Sequence, residues 1–481
     1  MSTQKSNERV LSMYCNSNAP NLLTRLLHYC FHTKNLKTTK ILHSQLVISG
    51  LLFTSPNLYN NLILTYAPHL DNNLQTLTNL LNSIKSTNPI PFNSIISNLS
   101  QHGFPFFSIL TTSFMQAKNV PFDNYTLCSS LTASSSIRTL NIGKQLHTHV
   151  VKSGWISNVY VGSSLVDFYV KVSIINDAVN AFDEIPVKNI VCVNALLSGL
   201  TDAKMWVQGL DLVQKLYALG LDYDLFTLSA ILRVCAGLSA IELGKQVHAR
   251  LIRKNVDIKY DVFLQSSLIE MYGKCGLVEK AKNVFDLTET ARGGERNRDV
   301  VVWTSMLSCY GRNGQFKDVI RVYELMVANE VTPDAVVFVA VISACRHTGN
   351  VSLGLKYFES MVHDFGLQPD YEHYGCLVDL LCKAGELEKA WKLMSASNSR
   401  ASISVWGALL SACVDYGNVE MGKLAANKAL ELDSKNVGIY VLLSNLYANV
   451  GMWNEIEELR DLMKEKGLKK DVGCSWVDVI S

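Results

Sequence analysis

Residues 299–334 read DVVVWTSMLSCYGRNGQFKDVIRVYELMVANEVTPD. Trp303, Met306, Leu307 and Tyr310 fall at i, i+3, i+4 and i+7. Phe316, Val319, Ile320 and Tyr323 repeat that spacing, which is the apolar stripe of an amphipathic helix. Gly314 between them suits a left-handed helix end, and Pro333 stops the second helix. The stretch therefore predicts a helix hairpin of the length found in helix-turn-helix repeats.

The plan recurs. Residues 190–224 begin IVCVNALLSGL and end LGLDYD, and residues 89–123 begin PIPFNSIISNL and end KNVPFD. A second variant, NYTLCSSLTASSSIRTLNIGKQLHTHVVKSG at 124–154, is matched by LFTLSAILRVCAGLSAIELGKQVHARLIRKN at 225–255. A shorter third variant, VYVGSSLVDFYVKVSIINDAVNAFDEIPVKN at 159–189, is matched from 262 by VFLQSSLIEMYGKCGLVEKAKNVFD. His43, His147 and His248 recur at intervals of about 100 residues, close to three hairpins. Three kinds of hairpin thus cycle in order. Histidines so far apart along a stacked array cannot share one metal ion, so packing or capping of the second helix accounts for them.

One hairpin cannot bury its apolar faces alone, and stacked neighbours make a continuous core. The expected fold is all-α, a right-handed superhelical solenoid with a concave inner surface. The charged, non-periodic TETARGGERNR at 288–298 is expected to be a loop inserted between hairpins.

Bulk composition excludes several classes. The 481 residues are 48% hydrophobic and 18% charged, with net charge +2, so nucleic-acid affinity would need locally placed cations. Twelve cysteines are too sparse for a disulfide scaffold and mostly occupy helical core positions, as in LLHYC, ISACR and LSACV. No C-x-x-C pair and no H-x-E occurs, so neither a zinc ribbon nor a zinc deaminase site is expected, nor any metal or other cofactor. No apolar run is long enough to span a membrane. Residues 1–19, rich in Ser and Asn, read as a tail or a transit peptide.

These residues resemble the plant pentatricopeptide repeat (PPR) family, in the subclass that mixes standard, long and short repeats. Residues 299–334 look like a standard repeat. AVVFVAVISACRHTGNVSLGLKYFESMVHDFGLQPD resembles a long one, and YEHYGCLVDLLCKAGELEKAWKLM the short repeat that ends such arrays. The array would cover residues 20–402. Residues 403–436 and 437–470 resemble the family's two C-terminal extension (E) motifs, leaving 471–481 as a short tail. GCSW at 473–476 resembles the boundary beyond which many relatives carry a cytidine-deaminase-like domain, and the sequence stops at Ser481.

The resemblance implies a non-enzymatic factor that binds single-stranded organellar RNA and selects cytidines for C-to-U editing. A deaminase-bearing relative in trans and small editing accessory proteins are the implied partners, with mitochondrion expected and chloroplast the alternative. Each repeat would read one base through an early first-helix residue and the last residue of the repeat. By that pairing Asn60 with Asn88 suggests C, and Asn93 with Asp123 suggests U. Ser163 with Asn189 suggests A, and Asn194 with Asp224 again U. Ser266 with Asp299, and Thr304 with Asp334, each suggest G. Cys128, Ser229, Val339 and Gly375 at the early position read poorly. The implied site is C-U-N-A-U-N-G-G-N-N, lying about four nucleotides upstream of the edited cytidine in this family. Taken one at a time, each Asn or Asp could equally be a helix cap or turn former. Lys144, Lys245 and Arg312 are candidate phosphate contacts. Two other readings stand beside editing: an RNA stabilisation, splicing or translation factor, and a protein-interaction scaffold. The scaffold lacks support from a W-x-x-L-G-x-x-Y signature.

Overall fold

In the computed structural model the described residues are 20–468, apart from 52–55, 73, 85–86, 219, 221–222, 255, 257, 259–260, 288–298 and 397–401. The tails 1–19 and 471–481, with GCSW, and the segment 288–298 read as an inserted loop, lie outside them. The described residues contain α-helices, short 3₁₀ turns and no strand. No helix among them is long and apolar enough to cross a membrane.

The opening stretch folds as its periodicity requires. Asp299 caps the first helix, its Oδ1 accepting the Val301 N–H at 2.9 Å. Helix Val300–Arg312 buries Val302, Trp303, Met306, Leu307, Cys309 and Tyr310. Gly314 takes φ 73°, the left-handed turn that closes the hairpin. Helix Phe316–Ala328 buries Val319, Val322, Tyr323 and Met326. The buried stripe there is rotated from the one expected. Phe316 sits at the margin and stacks flat on His347, ring centroids 4.2 Å apart.

The chain divides into two compact units, 1–234 and 235–481, with the division inside helix Leu225–Leu238. Within each unit the design is the same. First helices pack side by side in one layer: Ile90–Gln101 on Asn124–Ile137, then Val159–Lys171, then Ile190–Asp202 in the first unit. In the second unit Val262–Lys274 packs on Val300–Arg312, then Ala335–Thr348, Tyr371–Lys383, Ile403–Tyr416 and Val437–Asn449. Second helices fold back on their own first helices and touch the next hairpin, as Phe316–Ala328 does with Val300–Arg312 and Ala335–Thr348. The segment read as two extension motifs is two more hairpins of this kind.

Second helices of the long variant carry a glycine where the next hairpin comes closest. A Cβ on Gly143 would lie 1.8 Å from the Phe168 ring, one on Gly244 2.6 Å from Met271, and one on Gly354 2.5 Å from Leu380. Gly422 does the same against Leu446, at 2.2 Å. Gly143→Ala gains about 1 kcal/mol of helix propensity but forces a buried ring aside, which costs about 1–3 kcal/mol. The expected result is faster amide exchange in helices Leu140–Lys152 and Val159–Lys171 with distant hairpins unaffected, measured by hydrogen exchange.

The three recurring histidines tie successive hairpins together. His43 Nδ1 lies 3.1 Å from the Tyr66 hydroxyl, and His147 and His248 each lie 2.8 Å from those of Tyr169 and Tyr272. They neither cap helices nor approach a metal cluster, and none occurs among the described residues. The buried cysteines are neutral thiols: burial pushes Cys235 and Cys382 up to about 12 and Cys345 up to about 11.

Candidate nucleic-acid interface

At Asn93–Asp123, Ser163–Asn189, Asn194–Asp224 and Thr304–Asp334 the early residue of a first helix and the last residue of its repeat come together, because that last residue caps the next first helix. The caps are explicit. Asp123 accepts from Thr126 N at 2.8 Å, Asn189 from Cys192 N at 2.9 Å, and Asp224 from Thr227 N at 2.7 Å. Asp334 accepts from Val337 N at 2.9 Å; Asn88, one residue before the Pro89 cap, accepts from Ile90 N at 3.0 Å. Adjacent first helices are in contact, so a cap at the start of one helix reaches the first turn of its neighbour.

In two of the pairs the amide nitrogen reaches both carboxylate oxygens. Asn93 Nδ2 donates to both oxygens of Asp123 at 2.9 Å. Asn194 Nδ2 donates to Asp224 at 3.3 and 3.0 Å. A third pair is in reach, the Ser163 hydroxyl lying 3.2 Å from Asn189 Oδ1, though its one proton also faces Val159 O of its own helix at 2.7 Å. Capping and pairing are therefore not alternatives here. A carboxylate offers about four acceptor positions, so one oxygen can cap the next helix while both receive the amide.

Thr304 and Ser266 turn back on their own helices, donating to Val300 O at 2.8 Å and to Phe263 O at 3.1 Å. Their hydroxyls sit one bond from Cβ, whereas an Asn amide reaches further. Thr304 and Asp334 nevertheless line one hollow of about 260 Å³, together with Ser305, Ser308, Lys274 and Arg312. Asn60, Asn93 and Asp123 line a second, open groove of about 890 Å³. Asp299 caps its helix through the Val301 N–H, while the Ser266 hydroxyl is turned to its own helix.

The cations separate by layer. Lys144 and Lys245 stand on second helices and are ion-paired, with Asp177 at 3.4 Å and Glu242 at 2.7 Å. They lie in the layer away from the reader row, so the structure does not favour them as phosphate contacts. Arg312 is exposed on a first helix and shares the Thr304 hollow.

Sequence reasoning missed a further row. Three residues before the early position of eight first helices a large apolar side chain stands exposed. In the first unit these are Ile90, Tyr125, Tyr160, Val191 and Phe226, and in the second Phe263, Val301 and Val336. Their exposure runs from 44% at Val301 to 77% at Phe263, too high for core residues. Such side chains beside polar readers make stacking surfaces for unpaired bases. The signal was the recurrence of Val, Ile, Phe or Tyr at that offset, but at i−3 it merges with the core stripe until packing separates them.

The sequence and the fold both match known proteins. Sequence models described as PPR repeat match residues 266–289, 336–364 and 365–395, one described as PPR repeat family matches 298–347, and one described as E motif matches 416–478. A putative pentatricopeptide repeat-containing protein of Arabidopsis thaliana is 32% identical over 95% of this chain and 73% of its own length. A chloroplastic one from the same plant is 32% identical over 95% of this chain and 53% of its own length. A mitochondrial one is 32% identical over 83% and 61%. The chain spans roughly half to two thirds of the length of most of these relatives. Among solved structures, the maize pentatricopeptide repeat protein PPR10 matches 96% of this chain and 68% of its own, at TM-score 0.66 and 17% identity. PPR10 in complex with an 18-nt psaJ RNA element matches 96% of this chain and 71% of its own, at TM-score 0.69 and 15% identity. The repeat matches, the E motif and relatives aligned along nearly the whole sequence agree with the stacked hairpins: this chain belongs to the pentatricopeptide repeat family.

Proposed function

We propose that the chain is a sequence-specific single-stranded RNA-binding factor that selects cytidines for C-to-U editing in a plant organelle. The observation that carries this reading is the row of polar pairs bridging successive first helices, with Asn93–Asp123 and Asn194–Asp224 as its best-formed members. These two pairs present hydrogen-bonding groups beside the exposed apolar side chains Ile90 and Val191, a combination suited to reading one unstacked base per repeat. The RNA-bound PPR10 structure supports the same use of the fold. The E motif at 416–478 favours editing over RNA stabilisation, splicing or translation.

These 481 residues contain no H-x-E and no C-x-x-C, the zinc ligands and general acid–base group that cytidine deamination uses. We assign catalysis to a deaminase-bearing partner in trans, with small accessory proteins assisting. Mitochondrial residence is proposed, and the relatives include both mitochondrial and chloroplastic proteins.

Two measurements test this. Editing at every organellar cytidine is compared between wild type and a knockout. Loss at one or a few cytidines with transcript levels unchanged is expected, whereas intact editing with altered abundance or splicing favours the other RNA role. The purified chain, incubated with target RNA and zinc, should leave every cytidine unconverted until a deaminase-bearing partner is added. Turnover by the chain alone refutes the assignment in trans.

A further inference from the structure

We infer that Thr126 and Thr227 are positioning residues that set base discrimination in the repeat preceding their own. This rests on the RNA-reading proposal above. Both threonines are fully buried. The Thr126 hydroxyl lies 2.6 Å from Asn93 Oδ1 and 2.9 Å from Asp123 Oδ1. The Thr227 hydroxyl lies 2.7 Å from both Asn194 Oδ1 and Asp224 Oδ1. In each case three side chains from two hairpins close a ring: the amide NH₂ donates to the carboxylate, and the hydroxyl, with one proton to give, sits between the amide oxygen and a carboxylate oxygen.

The ring has a chemical consequence. An Asn amide can present oxygen or nitrogen on either side, and the wrong choice exchanges a donor for an acceptor. The carboxylate takes the NH₂ and the hydroxyl supplies a proton to the amide oxygen, so one orientation satisfies every group. The alternative sets oxygen against carboxylate. The amide is thus ordered before RNA arrives, which removes the ordering of a mobile side chain from the free energy of binding.

The pattern within the chain fits a functional set. Thr occupies the third position after the cap in both Asn–Asp pairs. The corresponding residue is Pro91, Cys192, Val302 or Val337 after the other four pairs. Thr126 also completes a capping box, accepting from the Asp123 N–H at 3.4 Å, but its contact with the Asn93 amide of the preceding hairpin goes beyond what capping needs.

The test uses the full chain and RNAs of the implied site that differ only at its second or fifth nucleotide. Thr227→Val should lower discrimination between U and C at the fifth nucleotide by roughly tenfold, about the size of one matched base contact, and leave the second unchanged. Thr126→Val should do the converse, and Thr227→Ser, which keeps the hydroxyl, should restore discrimination. A structural role alone would weaken all RNAs alike. Equal losses at both nucleotides, or retained discrimination in the Val variants, overturns the inference. Absence of RNA binding by the wild-type chain would instead overturn the reading on which it rests.

Discussion

Deletion of residues 403–481 leaves binding of the cognate RNA within about tenfold of the intact chain, or about 1.4 kcal/mol, and abolishes editing of the target cytidine. The paired readers lie between Asn60 and Asp334, outside the deleted part. The cut does cost local stability. Val405 and Trp406 are buried on helix Ile403–Tyr416, which packs against Tyr371–Lys383, and Trp406 meets Trp391 edge-on at 5.6 Å. In a stacked array that loss is passed mainly to the nearest neighbour, and hairpin 335–363 still stands between the frayed end and the Thr304 hairpin. RNA affinity is measured by filter binding, and editing by complementation of a knockout. Full complementation by the truncated chain would remove any recruiting role from the extension hairpins and favour RNA stabilisation. Loss of RNA binding as well would make the extension part of the RNA-binding body.

Most of the fold was legible because periodicity, glycine and proline all act locally. The apolar spacing in 299–334 and the turn at Gly314 require only the chain's own helical geometry. What was not legible depends on neighbours. Phe316 fits the apolar stripe of its helix, yet packing against the next hairpin moves it to the margin, where it stacks on His347. The reader pairs could be named by resemblance, but the sequence left capping and pairing as competing readings. Only the approach of adjacent first helices shows one Asp123 carboxylate serving both. Lys144 and Arg312 look alike as isolated charges, and the layer on which each stands separates them.

Thr304→Asn is expected to move preference at one nucleotide from G toward U, but only part of the way, and the reason lies three residues beyond the partner. In the wild type the Thr304 hydroxyl bonds Val300 O in its own helix, leaving Asp334 to cap Val337 N. An Asn amide at this position has the register of Asn93 and Asn194 and can reach the Asp334 carboxylate as they reach theirs. Its oxygen, however, has no hydroxyl donor, because Val337 stands where Thr126 and Thr227 stand in the two complete rings. Val337 is fully buried, so the new amide keeps one acceptor that the ring would satisfy elsewhere. Adding Val337→Thr supplies that donor at nearly constant volume, and the hydroxyl finds acceptors in Asp334 and the new amide. A matched base contact is worth about 1–3 kcal/mol of discrimination. The double variant should therefore change the G-to-U preference by roughly tenfold or more, and the single variant by less. Both RNAs are measured against the wild type, both single variants and the double variant, because a folding defect would weaken the two RNAs equally. Equal losses on both, or no change in any variant, would show that Thr304 is not a base reader. A full shift from Thr304→Asn alone would show that the carboxylate suffices to orient the amide and that the buried threonines are dispensable.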